Sequence, residues 1–236
     1  MILPALLAAA LGGAGSFLAP NLIARIPEPD VDPDEERDEE PKEPYAAIAA
    51  RPGLAWRSGV TGAVAAGLMG WTLGWAWPLV VVVALVPVSV ALAVVDWRTR
   101  LLPTKVIAPT YAVTIGLVLL TWLLAGPAPG SDLLRALIGW AGAGGLYFVL
   151  WFVYPAGMGY GDVRLSGVLG IALGYVGWAE LVVGIYGGFL LGGVLGGLLS
   201  LLRRVDRTGY PFGPFMLLGA LVGVVAGQPV IGWLIA

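Results

Sequence analysis

PLVVVVALVPVSVALAVV, residues 78–95, runs for eighteen positions without a charge and then meets Asp96. A hydrocarbon core of about 30 Å needs roughly 20 apolar residues in helix, with about 17–25 as the working range. The stretch is therefore a candidate membrane crossing. Seven more of similar character lie at approximately 2–23, 58–76, 106–125, 133–154, 163–178, 180–202 and 213–235. The pattern predicts an all-α, polytopic integral membrane protein with about eight transmembrane helices. The first stretch lacks a basic opening and is too long for a signal peptide, so it is read as a retained helix.

Composition agrees. Hydrophobic residues make up 58% of the 236, charged residues 12%, and mean hydropathy is +0.88. An ordinary soluble domain carries roughly a quarter charged residues. Eight spans leave both termini on one side and divide the connections into two sets. One set, 24–57, 96–105, 155–164 and 203–212, holds twelve of the thirteen Lys and Arg residues; the other holds only Arg135. Positive charge marks the cytoplasmic side, so those four connections are expected there and both termini outside. The chain divides into a first helix (1–25), an acidic Pro-rich cytoplasmic loop (26–57) and a membrane domain (58–236). Within the loop, IPEPDVDPDEERDEEPKEPY (26–45) cannot bury apolar surface and is expected to be unstructured. A solvated loop is its plain reading; attraction of a basic peptide is the sharper one. Paired glycines at 187–188, 192–193 and 196–197 suit close helix packing.

The chain has no cysteine and no histidine. That removes disulfides, the usual Cys or His metal sites, and nucleophilic catalysis through a Ser-His or Cys-His pair. Any hydrolysis falls to carboxylates. Ten of the fifteen acidic residues lie between Glu28 and Glu43, leaving Asp96, Asp132, Asp162, Glu180 and Asp206. An ionisable residue at a membrane span is a functional candidate by default. Asp96 ends the third span and Asp162 opens the sixth, both at the predicted cytoplasmic edge. Two like charges brought together cannot both ionise cheaply, so they share a proton. The ionised member can deprotonate water while the protonated member hydrogen-bonds a scissile carbonyl.

Plainer roles exist for each. Asp96 could pair with Arg98 or Arg100, and Asp162 could cap a helix after a glycine turn. Asp206, among Arg203, Arg204 and Arg207, reads as locally ion-paired. The neighbouring residues favour chemistry. Gly159 and Gly161 flank Tyr160 and let a peptide strand approach the backbone. Pro103 keeps DWRTRLLP (96–103) from continuing as one rod.

Gly159-Tyr160-Gly161-Asp162 is the GxGD pattern of membrane aspartyl proteases, and GMGYGDVRL (157–165) resembles its prepilin peptidase form. Asp96 in DWRTRLLP resembles that family's other catalytic aspartate. YPFGPFMLLGA (210–220) is similar to its PFGP segment, and Gly15-Ser16-Phe17-Leu18 with Arg25-Ile26-Pro27 to its opening. Four ordered motifs span nearly the whole chain. The resemblance to the type IV prepilin peptidases implies an aspartic endopeptidase of a bacterial inner membrane. It would remove a basic leader from prepilins or pseudopilins at the cytoplasmic face. Asp96 and Asp162 would be its catalytic pair. Gly159, Gly161, Pro211, Phe212, Gly213 and Pro214 would shape the substrate cleft, although the last group equally suits a helix start. Arg98, Arg100 and Arg164 read as membrane-edge anchors. Partners are the substrate and the lipid bilayer, with no nucleic acid.

Departures from the family set limits. Many bacterial members carry two CxxC pairs that bind zinc after the first span; the acidic segment stands there instead, so no zinc is expected. Proteolysis needs no cofactor. S-adenosylmethionine would be needed only if the family's N-methylation of the new terminus were retained, which the altered loop speaks against. Three rivals are weaker. A transporter would show an inverted repeat or paired broken helices. A structural subunit leaves both aspartates unexplained. A presenilin-type protease carries a tyrosine before its first aspartate, where this chain has Val95.

Overall fold

The computed structural model describes residues 1–28, 42–126, 131–155, 158–201 and 211–235, with side chains in α9 described to Gly193. The elements are α1 (Ile2–Phe17), α2 (Ala19–Ala24), α3 (Tyr45–Ala49), α4 (Leu54–Leu73), α5 (Trp77–Thr99), α6 (Thr104–Leu124), α7 (Ser131–Val153), α8 (Tyr160–Val176), α9 (Trp178–Leu201) and α10 (Gly213–Leu234). Every predicted span coincides with a helix, and the first is broken at Leu18 between α1 and α2. Five segments are long and apolar enough to cross a membrane: Ile2–Ala24, α5, α6, α7 and α10. The protein is an all-α integral membrane protein.

Lipid offers no hydrophobic drive between helices, so association rests on close backbone approach and on hydrogen bonds. Three helix pairs use glycine in this way. In α1 and α4, Gly62 faces Ser16 and the backbone of Gly12. In α7 and α8, Gly139 and Gly170 lie backbone to backbone, and a Cβ on Gly174 would meet Arg135 O at 2.6 Å. In α9 and α10, Gly219 opposes Gly184 and Gly188, and Gly223 opposes Gly184. The 187–188 and 192–193 glycines therefore pack as expected, except that Gly193 faces open space.

α5 runs through the middle, touching α1, α2, α3, α4, α6, α8 and α10. α8 is buried along almost its whole length from Asp162 to Tyr175. Polar ties fix both its ends. Tyr111 OH donates to Arg164 O at 2.8 Å, and the Arg135 guanidinium donates to the carbonyls of Gly174, Tyr175 and Val176. A cation at a helix C-terminus satisfies its open carbonyls and the negative end of its dipole.

The 26–57 stretch departs from an unstructured loop at its C-terminal end. There α3 forms and buries Tyr45 and Ile48 against α2 and α5. YAAIA supplies the apolar surface that the acidic part lacks. The acid-dense residues 29–41 lie outside the described residues, as do Asp206 and its neighbouring arginines.

Gly139 and Gly142 make a matched pair. A methyl at Gly139 collides with the carbonyl of Gly170, whereas Gly142 has nothing within reach. Gly139→Ala is expected to lower stability by about 1–3 kcal/mol, and Gly142→Ala to leave it unchanged or higher. Thermal unfolding in detergent, followed by the fluorescence of the ten tryptophans, measures both.

Candidate active site

Asp96 and Asp162 sit at the same end of the two most enclosed helices, 4% and 6% exposed. Both lie inside helices rather than beside them. α5 continues through Thr99, where Thr99 Oγ1 bonds back to Val95 O and Arg100 closes the helix at φ 57°. Arg100 therefore ends this helix, and Pro103 serves as the N-cap of α6. α8 begins at Tyr160 with Asp162 at its third position, whose carboxylate reaches back to the N-cap residue Gly159.

Each carboxylate is held by a glycine N–H. Gly159 donates to Asp162 Oδ2 at 3.1 Å. Gly213, the first residue of α10, donates to Asp96 Oδ2 at 2.9 Å across 117 positions of chain. Helix starts carry unpaired N–H groups and the positive end of the dipole, so both acids face a favourable field. The two carboxylates are close enough for their charges to act on each other. Asp162 Oδ1 is buried with no partner among the described residues. An unsatisfied buried polar atom costs about 1–3 kcal/mol, and such atoms call for a functional explanation.

Leu102 gathers the motif segments. A Cβ on Gly161 would meet Leu102 Cβ at 2.6 Å and its carbonyl oxygen at 3.1 Å. A Cβ on Gly213 would meet Asp96 Oδ2 at 2.8 Å and Leu102 Cδ1 at 3.3 Å. The turn after Asp96, the glycine signature and the PFGP segment thus converge. Gly161 is needed by the protein's own packing. Gly159 differs: at φ −72°, ψ 146° its backbone suits any residue, and an added Cβ meets Asp162 Oδ2 at an ordinary 3.4 Å. Pro211 and Phe212 are half-buried beside the pair, and Pro214 is buried in the first turn of α10.

Among the described residues Asp96 makes no ion pair with Arg98 or Arg100, both of which are exposed. Arg164 lies over the Tyr160 ring at 4.5 Å and donates to Thr104 Oγ1. Tyr147 of α7 is a neighbour that sequence reasoning passes over. It is 1% exposed, packs its ring 4.7 Å from Phe189 and 6.1 Å from Phe212, and feels the charge of Asp162. The available signal was a lone hydroxyl in the apolar stretch 136–153. Two buried carboxylates and no imidazole or thiol can perform acid–base chemistry on a bound water. Among the described residues no three metal-ligating side chains gather, and with neither Cys nor His the donor set does not fit zinc.

Residues 83–201 match the model of the type IV leader peptidase family. That segment contains both aspartates and the glycine signature. The prepilin leader peptidase/N-methyltransferase of Aeromonas salmonicida (strain A449) is 32% identical over 177 residues, 69% of this chain and 54% of that protein. Its namesake in Escherichia coli (strain K12) is 29% identical over 140 residues, 56% of this chain and 57% of that one. The Pseudomonas putida protein of the same name is 26% identical over 172 residues, covering 69% and 55%. The chain spans about half the length of the curated relatives it matches. No solved structure matches it.

The glycines around the aspartates carry unequal structural demands. Gly161→Ala and Gly213→Ala are each expected to destabilise by about 1–3 kcal/mol, and Gly159→Ala by under about 0.5 kcal/mol, the usual range for a substitution that disturbs no packing. Midpoints of thermal unfolding for the three purified variants check the order.

Proposed function

The chain belongs to the type IV leader peptidase family, and from that premise we propose that it is a membrane aspartyl endopeptidase acting through Asp96 and Asp162. Its substrates are prepilins or pseudopilins, from which it removes a basic leader at the cytoplasmic face. One observation carries the reading. Two buried carboxylates from helices far apart in sequence come close enough for their charges to interact, each with one oxygen tied to a glycine N–H and with Asp162 Oδ1 left without a partner among the described residues. The names of the relatives support the substrate class. The side is supported by the basic residues, twelve of thirteen of which fall in the connections that the span count puts on the same side as the aspartates.

In this mechanism the pair holds one proton and titrates as a unit. The ionised carboxylate takes a proton from a water, whose oxygen adds to the scissile carbonyl carbon. The protonated carboxylate gives its proton to the carbonyl oxygen. As the C–N bond breaks, the amine leaves with the proton taken from water. The carbonyl re-forms and returns the other proton to the second carboxylate. Burial makes each of these charge movements stronger than it would be in water, and the two glycine N–H groups keep the carboxylates from turning away. The substrate strand passes Gly159, with Pro211 and Phe212 on the other side; Gly161, Gly213 and Pro214 support the cleft from behind.

S-adenosylmethionine carries a cationic sulfonium, and the cleft between α4, α5, α8 and α10 is rimmed by Arg51, Arg57 and Arg98 over largely apolar walls, with no carboxylate in its lining. Those residues do not fit it.

Co-expression with a prepilin, scored for leader removal, tests the reading. Asp96→Asn and Asp162→Asn are each expected to reduce cleavage at least about a hundredfold at unchanged membrane levels. Cleavage persisting in either variant would sink the pair. Gly159→Ala is expected to lower cleavage while the fold is kept, because the new methyl enters the strand's path. Normal cleavage by that variant would remove Gly159 from the cleft.

A further inference from the structure

A cleft of about 570 Å³ opens between α4, α5, α8 and α10, and neither aspartate lines it. This volume is in the range that bound small molecules occupy, about 300–1,000 Å³. Its α4 wall runs from Leu54 to Met69, which at 1.5 Å per residue is about 22 Å. That length reaches from one edge past the middle of a hydrocarbon core about 30 Å thick. The depth of the cleft is apolar, with Val82, Val86 and Val90 on one side and Leu217 and Leu221 on the other.

Its mouth is cationic. Arg51 is already engaged, its guanidinium donating to both oxygens of Glu43 at 2.9 and 3.0 Å. Arg57 and Arg98 are exposed and have no ion pair among the described residues. Beside them Ser58 lines the cleft, is 2% exposed, and its Oγ has no partner among the described residues. Other hydroxyls, on α4, α5 and α6, are paired within their own helices. Thr72, Thr99, Thr110, Thr114 and Thr121 all bond back to the carbonyl four residues earlier. Ser58 makes no such bond among the described residues, and its hydroxyl oxygen is enclosed by the surrounding side chains.

A largely apolar slot reaching past the middle of the membrane, with two guanidinium groups at its mouth that have no ion pair among the described residues, has the chemistry of a lipid with a negative head. A basic peptide would be repelled at this mouth. We infer that the cleft holds one anionic phospholipid, with acyl chain between α5 and α10 and phosphate between Arg57 and Arg98. Guanidinium binds phosphate through paired, charge-assisted hydrogen bonds. Basic pockets between transmembrane helices on the cytoplasmic side take such headgroups elsewhere. The lipid would also cover the walls of α5 and α10 that lead to Asp96 and Gly213, and so stabilise the folded state by binding it alone.

Native mass spectrometry of the full chain, released from nanodiscs of phosphatidylglycerol or of phosphatidylcholine with the same acyl chains, tests this. The expected result is one retained phosphatidylglycerol per chain and little phosphatidylcholine. The Arg57→Gln/Arg98→Gln double variant should reduce retention about tenfold. Ala93→Phe, which fills the slot from the α5 wall, should exclude the lipid while circular dichroism and elution volume stay unchanged. Equal retention of the two lipids overturns the inference, and so does retention that survives Ala93→Phe. The cleft would belong to the substrate instead if Ala93→Phe lowered leader cleavage in lipid-free detergent but kept phosphatidylglycerol bound, and that outcome overturns it too.

Discussion

The N–H of Gly213 and the carboxylate of Asp96 meet at 2.9 Å inside the protein, and the arrangement around the two aspartates depends on that meeting. A carboxylate taken out of water must be given a donor or it will not stay charged. α10 provides one at its first residue, where a helix always has N–H groups to spare. The bond ties the end of the central helix to the last helix of the chain. It also draws the PFGP turn against Leu102, and through Leu102 against Gly161. Three segments that are remote in sequence are thus fixed by one donor and one apolar side chain.

Around that point the bundle is held by surfaces that nearly lack side chains. Glycines on α1 and α4, α7 and α8, and α9 and α10 allow backbones to touch, which dispersion rewards even where the hydrophobic effect does not operate. α5 and α8 occupy the middle of this assembly, and they are the helices that carry the aspartates. Enclosure on all sides lets one end of each hold a carboxylate away from water while the opposite end stays anchored, as Arg135 anchors α8. The cost is visible at Asp162 Oδ1, a buried oxygen with no partner among the described residues, and at Arg100, a non-glycine residue in the left-handed region. Both lie close to the proposed chemistry, where strain is commonly stored.

Much of this was legible in the residues. Hydropathy located every helix but α3 to within a few positions because a membrane span must be both long and apolar. The aspartates stood out because carboxylates outside the acidic segment are scarce. Asp96 and Asp162 read as the end of the third span and the start of the sixth, and the Thr99 back-bond and the Asp162 capping bond carry regular structure a few residues past them. The errors were local. Pro103 read as the helix stop, a role that Arg100 performs. Gly161 read as room for a peptide, but its missing side chain is used by Leu102. Tyr147 escaped notice because nothing in α7 itself shows that it lies next to Asp162.

Sequence by itself determined what depends on composition and order: an all-α membrane protein, its helices, its charge asymmetry, the exclusion of thiol and imidazole chemistry, and the motifs that mark its family. Only the tertiary structure decided which groups meet. The partner of Asp96 lies 117 residues away, and the difference between Gly159 and Gly161 comes from a neighbour on another segment. The cleft rimmed by Arg57 and Arg98 draws its walls from four helices. Hydropathy is a sum over neighbours in the chain, whereas a hydrogen bond or a steric contact is a relation in space that helix packing alone creates.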